Sequence, residues 1–400
     1  MNLSSVFTAV AHKQLVAVDL PKSGSHQHEL NGVAALRDFF GTNASTRGTL
    51  QWHYFADDRE PVQEDGDFTF YDARARSADR TGRSEWRFYY DESFLERANV
   101  GDLLFLARGK GGQLFALVFQ RDSAWLRAAR MLFGVQASTP SFDALGKEKL
   151  NSQELELLRR QILTELGLEV ALPVRRTDEE MMIAKFGQTF PTTKAMSAFA
   201  RTQVQADSNR IDEALVLWLD REEELFLALE RVLIRERLKS GFTEVEDFIA
   251  FSMSVHQRRK SRMGFAFQNQ LAELFDHHKL RYTPQARTEG KRKPDFIFPG
   301  QTEYHDKKFD AALLVMLGVK ATCKDRWRQV LVEASRIRNK HLCTLEAGIS
   351  TQQTDEMREE RVTLVVPASL HTTYTSGQLK EVLSVTEFVE IVRRKQIPNR

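Results

Sequence analysis

Pro294-Asp295-Phe296-Ile297-Phe298, then Leu313-Leu314-Val315-Met316-Leu317-Gly318-Val319-Lys320, then Glu333: these pieces decide how the last third of the chain reads. The first is a short apolar run opened by Pro-Asp. The second has the length of a buried strand and ends on a lysine. Glu333 falls in Asp325 to Asn339, a stretch that reads as helical. An amphipathic helix, Phe267 to His278, precedes them, and two more strands follow, His341 to Leu345 and Arg361 to Pro367. Such alternation predicts a central mixed sheet covered by helices.

An aspartate at a strand start, a lysine ending the next strand and a glutamate one element later can assemble a phosphodiesterase centre. That chemistry needs a divalent cation held by carboxylates, a water activated in its field, and positive charge for the developing oxyanion. Mg²⁺ takes oxygen ligands and commonly only one or two protein carboxylates. Asp295 and Glu333 are the expected metal ligands, and Lys320 is expected to orient the attacking water or screen the phosphate. In many nucleases a second acid precedes the lysine by two residues. That position is Gly318, so Glu333 must replace it. On a helix, Arg326 and Glu333 would share a face two turns apart, one reaching into DNA and the other toward the metal. Arginine suits bidentate contact with guanine, and Lys324 and Arg328 could add phosphate or base contacts. The competing reading makes Glu333 a helix-surface acid paired with Arg336 or Lys340.

The chain is long enough for two ordinary domains, at 400 residues and 42% hydrophobic content. With 57 basic against 55 acidic residues, bulk charge says nothing about nucleic acid, and only clustering can. His256-Gln257-Arg258-Arg259-Lys260-Ser261-Arg262 contains no acid, and further basic runs span Arg287 to Lys293 and Lys324 to Lys340. Two cysteines, Cys323 and Cys343, supply neither a disulfide framework nor a zinc site. No signal peptide and no bilayer-spanning stretch is legible, so a soluble cytoplasmic protein with no membrane partner is expected.

Residues 1 to about 135 read mainly as short strands, including Gln14 to Leu20, Gln51 to Phe55 and Ser84 to Tyr90. Leu103 to Ala107 and Leu114 to Phe119 form a hairpin across Gly109 to Gly112. A closed or half-closed barrel is expected, with one helix at Gly32 to Phe40. Ser152 to Leu166 reads as helical, and Asp207 to Leu238 as a long helix packed on more than one side. Arg74, Arg76, Arg80, Arg83 and Arg87, against Asp79 and Glu85, make a DNA-contacting surface or an exposed arginine-rich hairpin.

Several words of the last half resemble the EcoRII restriction endonuclease family. They are Gly241-Phe242, Val245-Glu246-Asp247-Phe248-Ile249-Ala250, Arg258 to Arg262, Lys293-Pro294-Asp295-Phe296, Cys323 to Gln329, and Val365-Val366-Pro367 with Ser369-Leu370-His371. The resemblance spans roughly residues 185 to 390. It implies a PD-(D/E)XK nuclease domain, a mixed central sheet flanked by helices, with Asp295, Lys320 and Glu333 catalytic and Mg²⁺ as cofactor. It implies DNA contacts from Lys324, Asp325, Arg326, Arg328, Arg259 and Arg262 at a CC/GG-containing target.

More faintly, Asp19, Gly24-Ser25-His26-Gln27, Tyr71-Asp72-Ala73-Arg74 and Arg83 to Arg87 look like the DNA-embracing arms of that family's B3-like β pseudobarrel. DNA contacts from His26, Gln27, Arg74, Arg76, Arg83 and Arg87 follow from this likeness. The expected division is 1–168 as an effector domain, 169–184 as linker and 185–400 as the catalytic domain. The implied partners are double-stranded DNA, a second copy in a homodimer, and a cognate DNA methyltransferase in the same system. One departure stands out: where the family carries a glutamate on the helix before the Pro-Asp strand, this chain has Gln268.

Overall fold

The computed structural model describes residues 6–21, 29–30, 33–40, 45–74, 85–90, 94–145, 163, 176–323 and 326–397. The chain divides into two compact units, Met1–Leu172 and Pro173–Arg400.

Among the described residues the first unit forms one eight-stranded sheet. Its strands are β1 (Phe7–Gln14), β2 (Glu29–Leu30), β3 (Thr46–Phe55), β4 (Val62–Asp72), β5 (Trp86–Tyr90), β6 (Leu103–Gly109), β7 (Leu114–Phe119) and β8 (Asp143–Ala144). Their order is β2-β5-β4-β3-β7-β6-β1-β8. The expected hairpin is β6–β7, paired antiparallel from Leu103↔Phe119 to Arg108↔Leu114. Helix α1 (Leu36–Phe40) and helix α2 (Ala124–Phe133), whose first turn is capped by Ser123, are also among the described residues of the unit, whereas the helix expected over Ser152 to Leu166 lies, Leu163 apart, outside them. The stretch 14–20 is not the strand expected. The strand ends at Gln14, and Ala17–Asp19 is a 3-10 turn. Asp19 causes the bend: fully buried, it holds Lys13 Nζ at 2.7 Å and the Val16 N–H at 2.9 Å. A buried carboxylate needs those partners more than the ladder needs two more residues.

The second unit opens with α3 (Arg176–Phe186) and α4 (Thr193–Thr202), followed by two long helices, α5 (Ile211–Ser240) and α6 (Val245–His277). Residues 176–184, expected to be linker, are therefore helix. Met182 is fully buried, and Arg221 holds Asp178 through two bonds of 3.0 and 2.7 Å. The five-stranded sheet is β13-β12-β11-β10-β9, built from β9 (Thr283–Pro284), β10 (Phe296–Phe298), β11 (Val315–Lys320), β12 (Lys340–Thr344) and β13 (Val362–Val365). It is mixed, as expected: β10 runs antiparallel to both neighbours, whereas β11, β12 and β13 are parallel. Helix α7 (Gln301–His305) lies between β10 and β11, α8 (Thr351–Glu359) between β12 and β13, and α9 (Val385–Gln396) after β13, opened by a Ser384/Glu387 capping box. Among the described residues no helix is long and apolar enough to cross a membrane.

The sheet core carries a titratable group that makes a pH test possible. His341 in β12 is 9% exposed, its ring 5.2 Å from that of Phe388. Burial holds its pKa down at about 4. The unfolded chain takes up this proton near pH 6.5 and the folded one only near 4, so stability is full above 6.5 and falls between those values. The expected loss is roughly 3 kcal/mol. Urea melts of the wild type and His341→Leu from pH 7 to 4.5 check it: the substitution should flatten the slope, and equal slopes would refute the assignment.

Candidate active site

Asp295 lies immediately before β10, where pairing with β9 and β11 fixes its backbone; its carbonyl accepts the Gln285 N–H at 3.0 Å. The side chain is 7% exposed. Its Oδ2 accepts the Val319 N–H at 2.7 Å and stands 3.7 Å from Lys320 Nζ, an ion-pair rather than hydrogen-bond distance. Its Oδ1 accepts amide N–H groups from Gln268 and Gln285, each at 2.8 Å. Burial pushes its pKa up, against the pull of Lys320 and the Val319 N–H.

Glu333 joins them, but not from a helix. Residues Trp327–Val332 form a 3-10 segment with Arg326 at its start, and Glu333 ends it in an extended conformation (φ −87°, ψ 148°). The two-turn register of Arg326 with Glu333 therefore does not exist. Burial pushes the Glu333 pKa up, and the negative charge of Asp295 pushes it further, while Lys320, Lys340 and Arg292 pull it down. The two carboxyls thus lie within electrostatic reach of each other and of one lysine.

Side chains from elsewhere claim the backbone groups a helix would use internally. Lys340, only 6% exposed, donates from Nζ to the carbonyls of Glu333 (2.5 Å), Ile337 (3.0 Å) and Ala334 (3.2 Å). Arg292 donates to the Val332 carbonyl at 2.6 Å. Glu289 accepts the Ser335 N–H at 3.2 Å and its hydroxyl at 2.6 Å, and the Tyr304 hydroxyl as well. Burial alone would raise the Glu289 pKa, yet these hydrogen bonds hold it down at about 2. Ala334 turns with φ +48°, which breaks any helix there.

Gly318 is part of the same construction. A Cβ at this position would meet Val330 Cγ1 at 2.8 Å. A side chain on β11 at the position where related centres place an acid would push away the segment that ends in Glu333. Glycine at 318 and glutamate at 333 are thus linked by packing.

The donor set fits a hard cation. Two carboxylates with no histidine or thiolate suit Mg²⁺, and the charge of Asp295 reaches Glu333. Among the described residues no group of three or more His, Cys, Asp or Glu side chains that could hold a metal gathers. Gln268 and Gln285 contribute no charge; in this state they present N–H groups to Asp295 rather than carbonyl oxygens.

The other expected contacts divide. Arg326 is exposed and donates to the Thr322 carbonyl (3.3 Å) and Oγ1 (3.0 Å). Arg328 is exposed, bonded to Glu356 at 2.6 Å and lying over the buried Trp327 ring. Arg259, half exposed, pairs with the buried Glu230 at 2.6 Å. Arg262 is not a surface group. It is 5% exposed, lies 4.1 Å over the Phe226 ring and is paired with Glu222 (3.5 Å) and Glu223. Glu222 is fully buried, so a cation must accompany it, and a charge run in sequence does not show which cation turns inward. Arg74 and Arg87 both bond Glu85, at 2.7 and 2.6 Å. Lys324, Asp325, His26, Gln27, Arg76 and Arg83 lie outside the described residues. Sequence reading missed Gln285, Arg292 and Glu289, and placed Lys340 only beside the Glu333 side chain, whereas it holds the Glu333 carbonyl; Arg292 and Glu289 sit in the basic run flanking Asp295.

Residues 226–389 match the family described as EcoRII C terminal. The type II restriction enzyme EcoRII of Escherichia coli is 43% identical over 204 residues, half of this chain and half of that protein. The chain thus matches about half the length of this curated relative. Among solved structures, metal-depleted Ecl18kI in complex with uncleaved, modified DNA aligns with 17% identity and a TM-score of 0.45, over 57% of this chain and 87% of that one. The complex of restriction endonuclease PspGI with substrate DNA aligns with 14% identity and a TM-score of 0.40, over 56% and 93%. The resemblance read from the sequence is borne out over the half of the chain that holds Asp295, Lys320 and Glu333.

Proposed function

We propose that this chain is a Mg²⁺-dependent type II restriction endonuclease of EcoRII type. It hydrolyses double-stranded DNA at a short CC/GG-containing near-palindromic site, works as a homodimer, and uses its N-terminal unit to bind a second site as effector. One observation carries the reading: Asp295, Lys320 and Glu333 converge although they come from separate elements. When bound, a divalent cation supplies Lewis-acid polarisation of the phosphate and a water of lowered pKa. Asp295 and Glu333 would hold it. Lys320 Nζ stands beside the carboxylates, where it offers positive charge to a non-bridging phosphate oxygen as negative charge develops. Val319 N–H, Gln268 and Gln285 fix the orientation of the Asp295 carboxylate. Incubation of the purified protein with phage DNA and Mg²⁺ should give discrete fragments. No cutting with Mg²⁺ or Mn²⁺ at any ionic strength would end the proposal.

Gln268 favours a second reading, a sequence-specific DNA-binding protein with impaired cleavage, because it brings an amide where the family carries an acid. Gln268→Glu separates the two. A third carboxylate should lower the Mg²⁺ concentration for half-maximal cleavage by about tenfold, on the scale of residues that support metal ligands. An unchanged Mg²⁺ dependence would show that position 268 plays no part. The effector role has its own test. Deleting residues 1–172 should leave an active nuclease, released from its need for a second site; a deletion that folds but no longer cuts would contradict it.

A further inference from the structure

The turn between β9 and β10 is tied to both acids of the centre. Its main chain closes on itself: the Arg292 N–H donates to the Glu289 carbonyl and the Thr288 N–H to the Arg292 carbonyl, each at 3.1 Å. Gly290 supplies the positive φ (+61°) at which the chain reverses. Lys293 and Pro294 then lead directly into Asp295. Toward the other acid the turn extends two arms, one on either side of Glu333. Arg292 donates to the Val332 carbonyl at 2.6 Å, and Glu289 Oε1 accepts the Ser335 N–H and hydroxyl at 3.2 and 2.6 Å.

The same turn presents only cations outward. Between Arg287 and Lys293 the single acid is Glu289, and it faces inward, with Oε2 buried. Arg287, Lys291, Arg292 and Lys293 are exposed. Four cations on one short turn beside a carboxylate centre suit the phosphates of a nucleic-acid backbone. We propose that this turn couples DNA binding to assembly of the metal site. Phosphates seated on Lys291 and Lys293 fix the turn, and the turn sets the Glu333 carboxylate against Asp295, through Arg292 and through Glu289 as a positioning residue. Closed by its own hydrogen bonds, the turn moves as one piece and carries a force at Lys291 to the Ser335 end. The charge of Asp295 disfavours a charged Glu333 beside it, so the Glu333 segment depends on such an outside hold. The inference rests on the nuclease reading and adds to it a reason why metal is engaged on bound DNA.

Single-turnover cleavage of phage DNA by the full chain, with Mg²⁺ titrated, tests it alongside the salt dependence of duplex binding. Lys291→Ala with Lys293→Ala should make the log–log salt slope shallower by about 0.9 for each lost phosphate. With DNA fully bound, the same pair should raise the Mg²⁺ concentration for half-maximal cleavage by about tenfold. Glu289→Gln should raise it by a similar factor, with an unchanged salt slope and a wild-type far-UV spectrum; if this variant does not fold, the exposed lysine pair alone decides. The three substitutions together should raise it no further than either set alone, because one link is cut at two points. Lysine variants that change the salt slope without the Mg²⁺ requirement reduce the turn to a plain phosphate contact and overturn the coupling. An unchanged slope, or effects that multiply in the combined variant, overturns it as well. A wild type that never cuts ends the nuclease reading and this inference with it, whereas a wild type that cuts beside unaffected variants ends this inference alone.

Discussion

Asp295→Asn is expected to lose at least about a thousandfold in single-turnover cleavage, the scale on which a preorganised charge at a reacting phosphate acts. The fold should survive unchanged. Burial raises the Asp295 pKa, so keeping this side chain charged carries a desolvation cost that an uncharged asparagine of the same shape does not. The raised folded pKa also means that the charged group costs stability at neutral pH and ceases to do so as acid protonates it. The variant should therefore melt no lower than the wild type at pH 7 and still bind duplex DNA. Cleavage retained within tenfold would remove Asp295 from the centre; a lower melting temperature would contradict the account of its burial.

Lys340→Met is the second large effect, reached through position rather than contact with substrate. Its ammonium holds three carbonyls of one loop, those of Glu333, Ala334 and Ile337. Removing it leaves buried acceptors unmatched, which costs about 1–3 kcal/mol. The Glu333 carboxylate would then sample more than one position, and cleavage should fall ten- to a hundredfold, as for residues that orient metal ligands. The loss should appear as a higher Mg²⁺ requirement with unchanged DNA affinity. Lys340→Arg, which keeps the charge and the donors, should recover part of it. A purely structural role would lower stability without moving the Mg²⁺ dependence.

These expectations show where sequence reading was sufficient. Pro294-Asp295, the apolar strand ending at Lys320, and the glycine at 318 are local signals, and both strands formed there, the second starting at Val315 after a 3-10 turn over Ala311–Leu313. Glu333 was legible as the candidate second acid because Gly318 excluded the usual position. Its conformation was not legible. Residues 325–339 have helical composition, yet Lys340, Arg292 and Glu289 take the backbone groups a helix would satisfy internally. That competition involves residues about forty positions upstream and is invisible to a local pattern. Gln285 reaches Asp295 only through the β9–β10 pairing. Arg262 was misplaced because its environment is set by Glu222 and Glu223 on the neighbouring long helix.

The most direct test of the central claim is a Mg²⁺ digest of sequenced DNA with every end mapped. The account predicts that all ends fall at one short CC/GG-containing motif, at positions related by the motif's two-fold symmetry, and that Asp295→Asn yields none of them. Intact DNA, or ends scattered without a shared motif, would contradict it.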